Sequence, residues 1–235
     1  MNRICTICAR GGSKGVKNKN LQLLLGKPLI AHSILQAKYS GIFDLIAVSS
    51  DSYEILQISK EYGADILVDR PSELATDTAA KLPVIQHCVK EAETVSGLVF
   101  DIITDIDATS PLRNIEDLKN AMLLIEEQLD AENLISGTSS RRSPYFNLVE
   151  ENNQGYVELS KKLPYGFVRR QDVPRSFDMN ASIYIWRRES LFGSKSVLLN
   201  KTILYEMPEE RSIDIDSHLD FEFVSFLAEK RGNLY

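Results

Sequence analysis

A short apolar segment near the start of the chain changes abruptly into a loop rich in glycine and positive charge. Residues 4–9 have the composition of a buried β-strand, and residues 10–20 contain no acidic side chain. In open α/β sheets, ligands bind beyond the carboxyl ends of the strands. This feature therefore predicts a strand that delivers an anion-binding loop at the edge of such a sheet.

The loop has the chemistry of a phosphate-binding site. Gly11, Gly12 and Gly15 can adopt positive φ and carry no Cβ, so backbone N–H groups can approach a bulky anion. The spacing matches neither the Walker pattern nor the dinucleotide G-x-G-x-x-G pattern, and a solvent-exposed basic hairpin loop is the structural alternative. Four mobile cations would suit a triphosphate better than a neutral ligand: Arg10, Lys14, Lys17 and Lys19.

Apolar periodicity predicts alternating strands and helices along the rest of the chain. Successive β-α units of this kind indicate a mostly parallel sheet with helices on both faces. The expected strands are 4–9, 45–49, 66–68, 99–107, 134–138 and 179–185, and the expected helices run from Pro28 to Gly41, from Ser50 or Asp51 to Gly63, from 76–78 to Val95, from Asn114 to Leu129, and onward from Ser217.

Length and charge limit the classes of function open to this chain. Its 235 residues suffice for one α/β domain with an insertion, and a net charge of −6 argues against general attraction to nucleic acid or anionic membrane. The chain contains no apolar run near ~18 residues and no cleavable signal pattern. We therefore expect a cytoplasmic protein whose partners include neither nucleic acid nor membrane.

Two cysteines near the N-terminus have the spacing of a redox or metal pair. Cys5 and Cys8 are three positions apart in a predicted strand, so their side chains point to opposite faces. They cannot share a ligand, and we interpret both as small core residues.

Paired carboxylates occur at two places in the sequence. In residues 212–217, alternation predicts that Asp214 and Asp216 share one face, where they could hold one Mg²⁺ together with phosphate and water. Asp105 and Asp107 have the same spacing and compete for the role of metal pair. A purely structural interpretation makes Asp214 and Asp216 caps or turn formers.

Three separated segments resemble the signatures of the acylneuraminate cytidylyltransferases, which load nine-carbon keto-sugar acids onto CMP. The segments are Ala-Arg-Gly-Gly-Ser-Lys-Gly at 9–15 followed by Lys19 and Asn20, Thr-Ser-Pro-Leu-Arg at 109–113, and Ser-Ile-Asp-Ile-Asp-Ser at 212–217. They occur in the family's order, and the resemblance covers nearly the whole chain. It implies a Rossmann-like nucleotidyltransferase fold of the α/β class.

The resemblance also implies roles for individual residues. Those that would bind the nucleotide, CTP, are Arg10, Gly11, Gly12, Ser13, Lys14, Lys19, Asn20 and Arg70, with Arg70 contacting the base. Those that would bind the acceptor sugar are Asp107, Thr109, Ser110, Arg113, Arg170 and Asn180. Lys14 and Lys19 would act in catalysis together with Asp214 and Asp216, which would hold the Mg²⁺ cofactor.

Residues 141–175 differ in composition from the rest of the chain. They carry seven Lys or Arg against four acids and show little periodicity, which favours an inserted arm of hairpin character between 1–140 and 176–235, the two parts of the catalytic domain. In the family, the matching insertion forms the dimer contact and reaches into the partner's site. The resemblance therefore implies a homodimer.

One residue departs from the sialic acid enzymes, which carry Gln where this chain has Asp107. An acid there disfavours a nearby anion and favours amino, amido or hydroxyl donors on the sugar. We expect a legionaminic-type nonulosonic acid whose anomeric hydroxyl attacks the α-phosphate of CTP, releasing pyrophosphate. The alternatives are the same chemistry on N-acetylneuraminic, pseudaminic or eight-carbon acids, and a non-catalytic nucleotide-binding regulatory protein.

Overall fold

The computed structural model describes residues 1–12, 15–163, 169 and 172–235. Its centre is a seven-stranded sheet in the order β11-β7-β10-β6-β1-β4-β5, in which only β10 runs antiparallel to its neighbours. The strands of this sheet are β1 (Arg3–Cys8), β4 (Leu45–Ser50), β5 (Ile66–Asp69), β6 (Ile102–Ile106), β7 (Asn133–Ser139), β10 (Phe177–Arg187) and β11 (Thr202–Glu206).

Two small antiparallel pairs lie outside the central sheet. β2 (Leu23–Leu24) pairs with β3 (Lys27–Pro28), and β8 (Val149–Glu151) pairs with β9 (Val157–Leu159). The second pair lies within residues 141–175 and confirms the hairpin character predicted for that segment. The sequence prediction of an arm at 164–168, 170 and 171 lies outside the described residues.

The helices alternate with the strands as the periodicity predicted. Asn114 and Ser217 each form a capping box with the acid three positions later, so two predicted helix starts are confirmed. The helices are α1 (Leu29–Ser40), α2 (Tyr53–Glu61), α3 (Lys81–Ser96), α4 (Ile115–Glu127), α5 (Arg188–Gly193) and α6 (His218–Arg231). Among the described residues, none of the helices combines the length and apolar character needed to cross a bilayer.

Apolar side chains cover both faces of the sheet. Cys5 packs on one face, in a cluster that includes residues of α1 and α4, whereas Cys8 packs against the cluster on the opposite face, which includes residues of α3. The prediction that these two thiols point to opposite faces is therefore confirmed. Burial on both faces also explains why the central strands are continuous apolar runs.

Three local predictions were wrong. The N-cap of α2 is Ser52, not Ser50 or Asp51, because only its hydroxyl accepts the Ile55 N–H. Helix α3 starts at Lys81, because residues 76–79 form a separate turn closed by a hydrogen bond from the Ala79 N–H to the Thr76 carbonyl, 3.2 Å. Residues 212–217 form a loop rather than a strand. The Ile215 N–H of this loop donates to the Thr109 carbonyl at 3.0 Å.

Candidate active site

A cleft lies at the carboxyl ends of β1 and β6, the position expected for a ligand in an open α/β sheet. It consists of two adjoining cavities of about 340 and 350 Å³ that share Cys8, Arg10 and Asp107. We call them the loop cavity and the α3 cavity. The other residues lining the loop cavity include Lys19, Asn20, Thr109 and Asp216, and those lining the α3 cavity include Arg70, Asp77 and Lys81.

Close packing explains one of the loop glycines, Gly15. Gly11 and Gly12 lie outside the left-handed region, so they do not use the positive φ that glycine allows. A Cβ on Gly15 would lie 2.0 Å from the Asp216 carbonyl oxygen, a distance that no side chain could tolerate. The Gly11 N–H donates to Asp51 Oδ1 at 2.8 Å, so a carboxylate of the protein already accepts from it. The loop therefore requires glycine at position 15 because another backbone segment touches it.

Lys19 joins this loop to the third signature. Its Nζ donates to the Ile215 carbonyl and lies 3.5 Å from Asp216 Oδ1. Asn20 was predicted to bind the nucleoside, but its side chain is buried and donates to the Arg10 carbonyl at 3.0 Å. Asn20 thus closes the loop from within, both residues line the loop cavity, and the predicted role of Asn20 toward the nucleoside stays a prediction.

Two arginines line the α3 cavity and already have partners in the protein. Arg10 Nη1 lies 2.6 Å from Asp77 Oδ1. Arg70 is buried and donates to the Ser49 carbonyl at 2.7 Å and to the Ser49 hydroxyl at 3.2 Å. These contacts hold both side chains at the cavity wall. Their assignment as nucleotide-binding residues stays a prediction.

The carboxylates of the third signature differ in exposure. The side chain of Asp216 is 82% exposed, whereas that of Asp214 is partly buried and its Oδ1 lies 3.5 Å from the Ser110 hydroxyl. Burial raises the pKa of Asp214, a hydrogen bond from Thr109 lowers it, and the charges of Asp107 and Asp216 raise it further. A cation beside Asp214 would offset this unfavourable environment.

Three residues predicted to bind the acceptor form a buried hydrogen-bond network instead. The Ser110 hydroxyl donates to the Asn180 carbonyl at 3.2 Å, and the Asn180 amide donates to the Ser212 hydroxyl at 2.9 Å. Arg113 is fully buried and donates to the Ser182 carbonyl, the Ser182 and Ser33 hydroxyls and the Asp107 carbonyl. The structure buries Arg113 below the cleft, where its guanidinium holds the loop that carries Asp107, and its predicted contact with the acceptor stays a prediction.

Lys81, the first residue of α3, lies in the cleft but was not predicted from the sequence. Its Nζ lies 2.5 Å from Asp107 Oδ2 and 3.2 Å from Asp105 Oδ2. Burial lowers the pKa of Lys81, but the charges of Asp107 and Asp105 more than compensate, so the pKa is raised above its usual range. Its one signal in the sequence is a cation in the first helical turn, which the helix dipole disfavours.

The same contact bears on the alternative metal pair. Asp105 is fully buried, accepts from the Thr6 hydroxyl at 2.8 Å and faces the Lys81 ammonium, so a positive charge already lies between Asp105 and Asp107. Desolvation raises the pKa of Asp105, and the charge of Lys81 lowers it. A divalent cation there would have to displace the lysine.

Three candidate ligand residues lie outside the described residues: Ser13, Lys14 and Arg170. Their predicted roles toward the triphosphate and the sugar acid stay predictions.

Comparison with solved structures supports the fold. A structure of CMP:2-keto-3-deoxy-manno-octonic acid synthetase complexed with CTP superposes with a TM-score of 0.69, covering 98% of this chain and 100% of that one at 17% identity. At this identity the likeness concerns the fold alone. It confirms the predicted α/β fold with a mostly parallel central sheet.

Comparison of sequences gives closer relatives. The chain is 45% identical over 224 residues to CMP-N,N'-diacetyllegionaminic acid synthase of Campylobacter jejuni, covering 95% of this chain and 94% of that protein. It is 44% identical over 230 residues to post-translational flagellin modification protein B of Campylobacter coli, covering 97% and 96%. A family model described as cytidylyltransferase matches residues 4–227. The chain therefore belongs to the cytidylyltransferase family.

Proposed function

We propose that the protein transfers CMP from CTP to the anomeric hydroxyl of a nonulosonic acid that carries two acylamino groups. The observation that carries the proposal is the meeting of the basic loop and the acidic third signature at one cavity, through Lys19 and Asp216. A triphosphate needs positive charge along its oxygens, and a metal that bridges those oxygens needs carboxylates beside them. The loop cavity offers both, and a relative at 45% identity is named for a diacetyllegionaminic acid product.

Each of the two cavities would bind a different part of the substrates. The triphosphate would lie in the loop cavity near Lys19, and the cytosine would enter the α3 cavity, whose wall includes Arg70. The acceptor would approach Thr109 and Asp107. The anomeric oxygen forms a bond to the α-phosphorus while the bond to the leaving pyrophosphate breaks, and the hydroxyl proton passes to water. Alignment of these groups supplies most of the catalysis.

The carboxylates of the third signature fit Mg²⁺. Mg²⁺ is usually held by one or two carboxylates together with substrate phosphates and water. Asp216 is open to solvent, and Asp214 is in an environment that a cation would relieve. When bound, Mg²⁺ would neutralise charge developing on the phosphate oxygens. No group of three or more acidic, histidine or cysteine ligands occurs among the described residues, which suits a metal completed by substrate.

The hairpin within 141–175 fits a homodimer contact. It exposes apolar side chains that a surface hairpin has no reason to carry alone, and burying them against a second copy would be favourable. These are Phe146, Leu148, Val149, Tyr156 and Val157.

The proposed function is tested by pyrophosphate release from the purified protein with Mg²⁺. Each of the four nucleoside triphosphates would be paired with diacetamido nonulosonic acids, N-acetylneuraminic acid, pseudaminic acid and an eight-carbon acid. We expect release with CTP and the highest kcat/KM with a legionaminic-type acid. A higher value with another acid would change the acceptor but keep the chemistry. CTP binding without release from any pair would instead indicate a regulatory binding protein.

A further inference from the structure

The ammonium of Lys81 is surrounded by groups of the protein. Its ammonium contacts Asp107 Oδ2 at 2.5 Å and Asp105 Oδ2 at 3.2 Å, and it lies 4.2 Å from the centroid of the Tyr184 ring. Tyr184 in turn stacks on Trp186. Among these contacts the hydrogen bond goes to Asp107, while Asp105 forms an ion pair with the ammonium and the Tyr184 ring packs against it. Lys81 therefore acts on other groups of the cleft, even though it lines the α3 cavity.

Asp107 is the group that Lys81 presents to the cleft. Its backbone is anchored, since its carbonyl accepts from Arg113 and Ser33 and its N–H donates to the Ser182 carbonyl. One carboxylate oxygen, Oδ2, is taken by Lys81. Over the described part of the chain, the other oxygen, Oδ1, receives no hydrogen bond, although Asp107 lines both cavities. Oδ1 of Asp107 can therefore accept a hydrogen bond from a donor group of a ligand.

The charge around Asp107 points to the kind of donor. The carboxyl groups of Asp105 and Asp107 share one ammonium, that of Lys81, and the neighbouring Arg10 is paired with Asp77. A second anion beside this group would be repelled, whereas an amide N–H gains a hydrogen bond to a charged acceptor. A hydroxyl can donate too, but it is both a donor and an acceptor, whereas an amide N–H can only donate.

We propose that Lys81 is a positioning residue that holds the Asp107 carboxylate between the two cavities, and that this pair selects an acceptor bearing an acylamino N–H where the sialic acid substrate carries a hydroxyl. The inference rests on the proposed function and deepens it, because it assigns the choice of acceptor to a pair of residues. Lys81 fixes the position of the carboxylate, and Oδ1 of Asp107 accepts a hydrogen bond from the substituent.

Two variants test this pair without leaving a buried charge alone. Asp107→Asn removes the negative charge that would accept the hydrogen bond from the substituent, while Lys81 keeps Asp105 as a partner. The double variant Lys81→Met/Asp105→Asn removes the lysine together with the buried acid it neutralises, so that Asp107 remains but is no longer held. Lys81→Arg is the conservative variant, and Lys90→Met, on the exposed face of α3, is the matched control.

The readouts are KM for CTP, KM and kcat for a diacetamido nonulosonic acid and for N-acetylneuraminic acid, and the melting temperature. For Asp107→Asn and for the double variant we expect KM for the diacetamido acid to rise about 10- to 100-fold. Selectivity over N-acetylneuraminic acid should fall by at least about 10-fold, while KM for CTP changes by less than about 3-fold. Lys81→Arg should retain most of the selectivity, and Lys90→Met all of it.

A purely structural role predicts a different result. In that case both acceptors lose activity equally as the melting temperature falls, and the selectivity ratio stays at its wild-type value. That outcome, with CTP-dependent release by the wild type intact, would overturn this inference and leave the proposed function standing. If the wild type transferred CMP to none of the acceptors, this inference and the proposed function would both be contradicted.

Discussion

Lys19 Nζ lies 3.5 Å from Asp216 Oδ1, although the two residues are 197 positions apart in the chain. The same ammonium donates to the Ile215 carbonyl, and Gly15 packs against the Asp216 carbonyl. The loop that would hold phosphate and the segment that would hold metal are thus one packed unit. Displacing either segment should disturb both functions.

Lys19→Met should raise KM for CTP by about 10-fold or more, because a charge-assisted contact to a phosphate is lost in a partly dry cavity. KM for the acceptor should change much less. Steady-state pyrophosphate release measures both values. Lys17→Met, an exposed lysine of the same loop, is the control for overall charge. An equal rise in both variants would show that Lys19 makes no specific contact with the nucleotide.

Gly15→Ala should disrupt the junction between the loop and the third signature, because the new Cβ would overlap the Asp216 carbonyl oxygen. We expect a loss of about 1–3 kcal/mol in the free energy of unfolding and a larger fall in kcat/KM than that loss of folded protein explains. Denaturant unfolding gives the first value. Gly12→Ala is the matched control for stability, since a Cβ there meets nothing within 4 Å. Equal stability of the two variants would contradict the packing.

Asp216→Asn should lower kcat by at least about 100-fold at saturating CTP, because one oxygen ligand of the proposed metal loses its charge. The melting temperature should hardly change, since the side chain is 82% exposed. The measurement is turnover as a function of Mg²⁺ concentration. Near-normal turnover would instead favour Asp105 and Asp107 as the metal ligands, and Asp105→Asn would then be the variant that loses activity.

Arg113→Met should unfold more easily than the wild type, by about 3 kcal/mol or more, because a buried guanidinium that makes four hydrogen bonds is lost. Denaturant unfolding measures the change, and Arg142→Met, an exposed arginine, should leave it near zero. Retained stability with a weakened acceptor KM would instead support the sugar contact expected from sequence.

Stability should fall as the pH drops below about 6.5, in part because of His32. Its Nε2–H donates to the Leu24 carbonyl at 2.8 Å, while Nδ1 is buried and has no hydrogen-bond partner among the residues that the structure describes. Burial lowers the pKa of His32 in the folded state, so below pH 6.5 the unfolded chain binds more protons and gains relative to the folded one. The free energy of unfolding between pH 7 and 5 should therefore depend less on pH in His32→Gln than in the wild type. His218→Gln, which changes an exposed histidine, should keep the wild-type slope. An identical slope in all three proteins would exclude this role for His32.

The order of elements was predictable because burial on one face or both leaves a periodic signal in the sequence. The alternation of β1, α1, β4 and α2 gave the parallel sheet, and the polar residues before α4 and α6 predicted their starts. The loop at 10–20 was predicted at the sheet edge because ligands bind beyond the carboxyl ends of strands in a parallel sheet. The position of residues 212–217 beside it was implied only by the family resemblance.

The roles of single side chains were less predictable. Arg113 and Asn180 belong to motifs associated with the sugar, yet the fold buries both below the cleft. Lys81 belongs to none of the signatures, yet it touches the carboxylate that faces both cavities. A motif reports which residue types occur together, whereas the contacts of a side chain depend on the neighbouring segments that fold against it.

The sequence by itself determined the class of fold and the chemistry of the cleft, because hydrophobic periodicity and the clustering of glycine, lysine and aspartate are local properties of the chain. Only the tertiary structure decided which charges pair. The contact of Lys19 with Asp216 and that of Lys81 with Asp107 join segments that are remote in sequence, and their energies depend on distance and burial, which arise only when the sheet has brought those segments together.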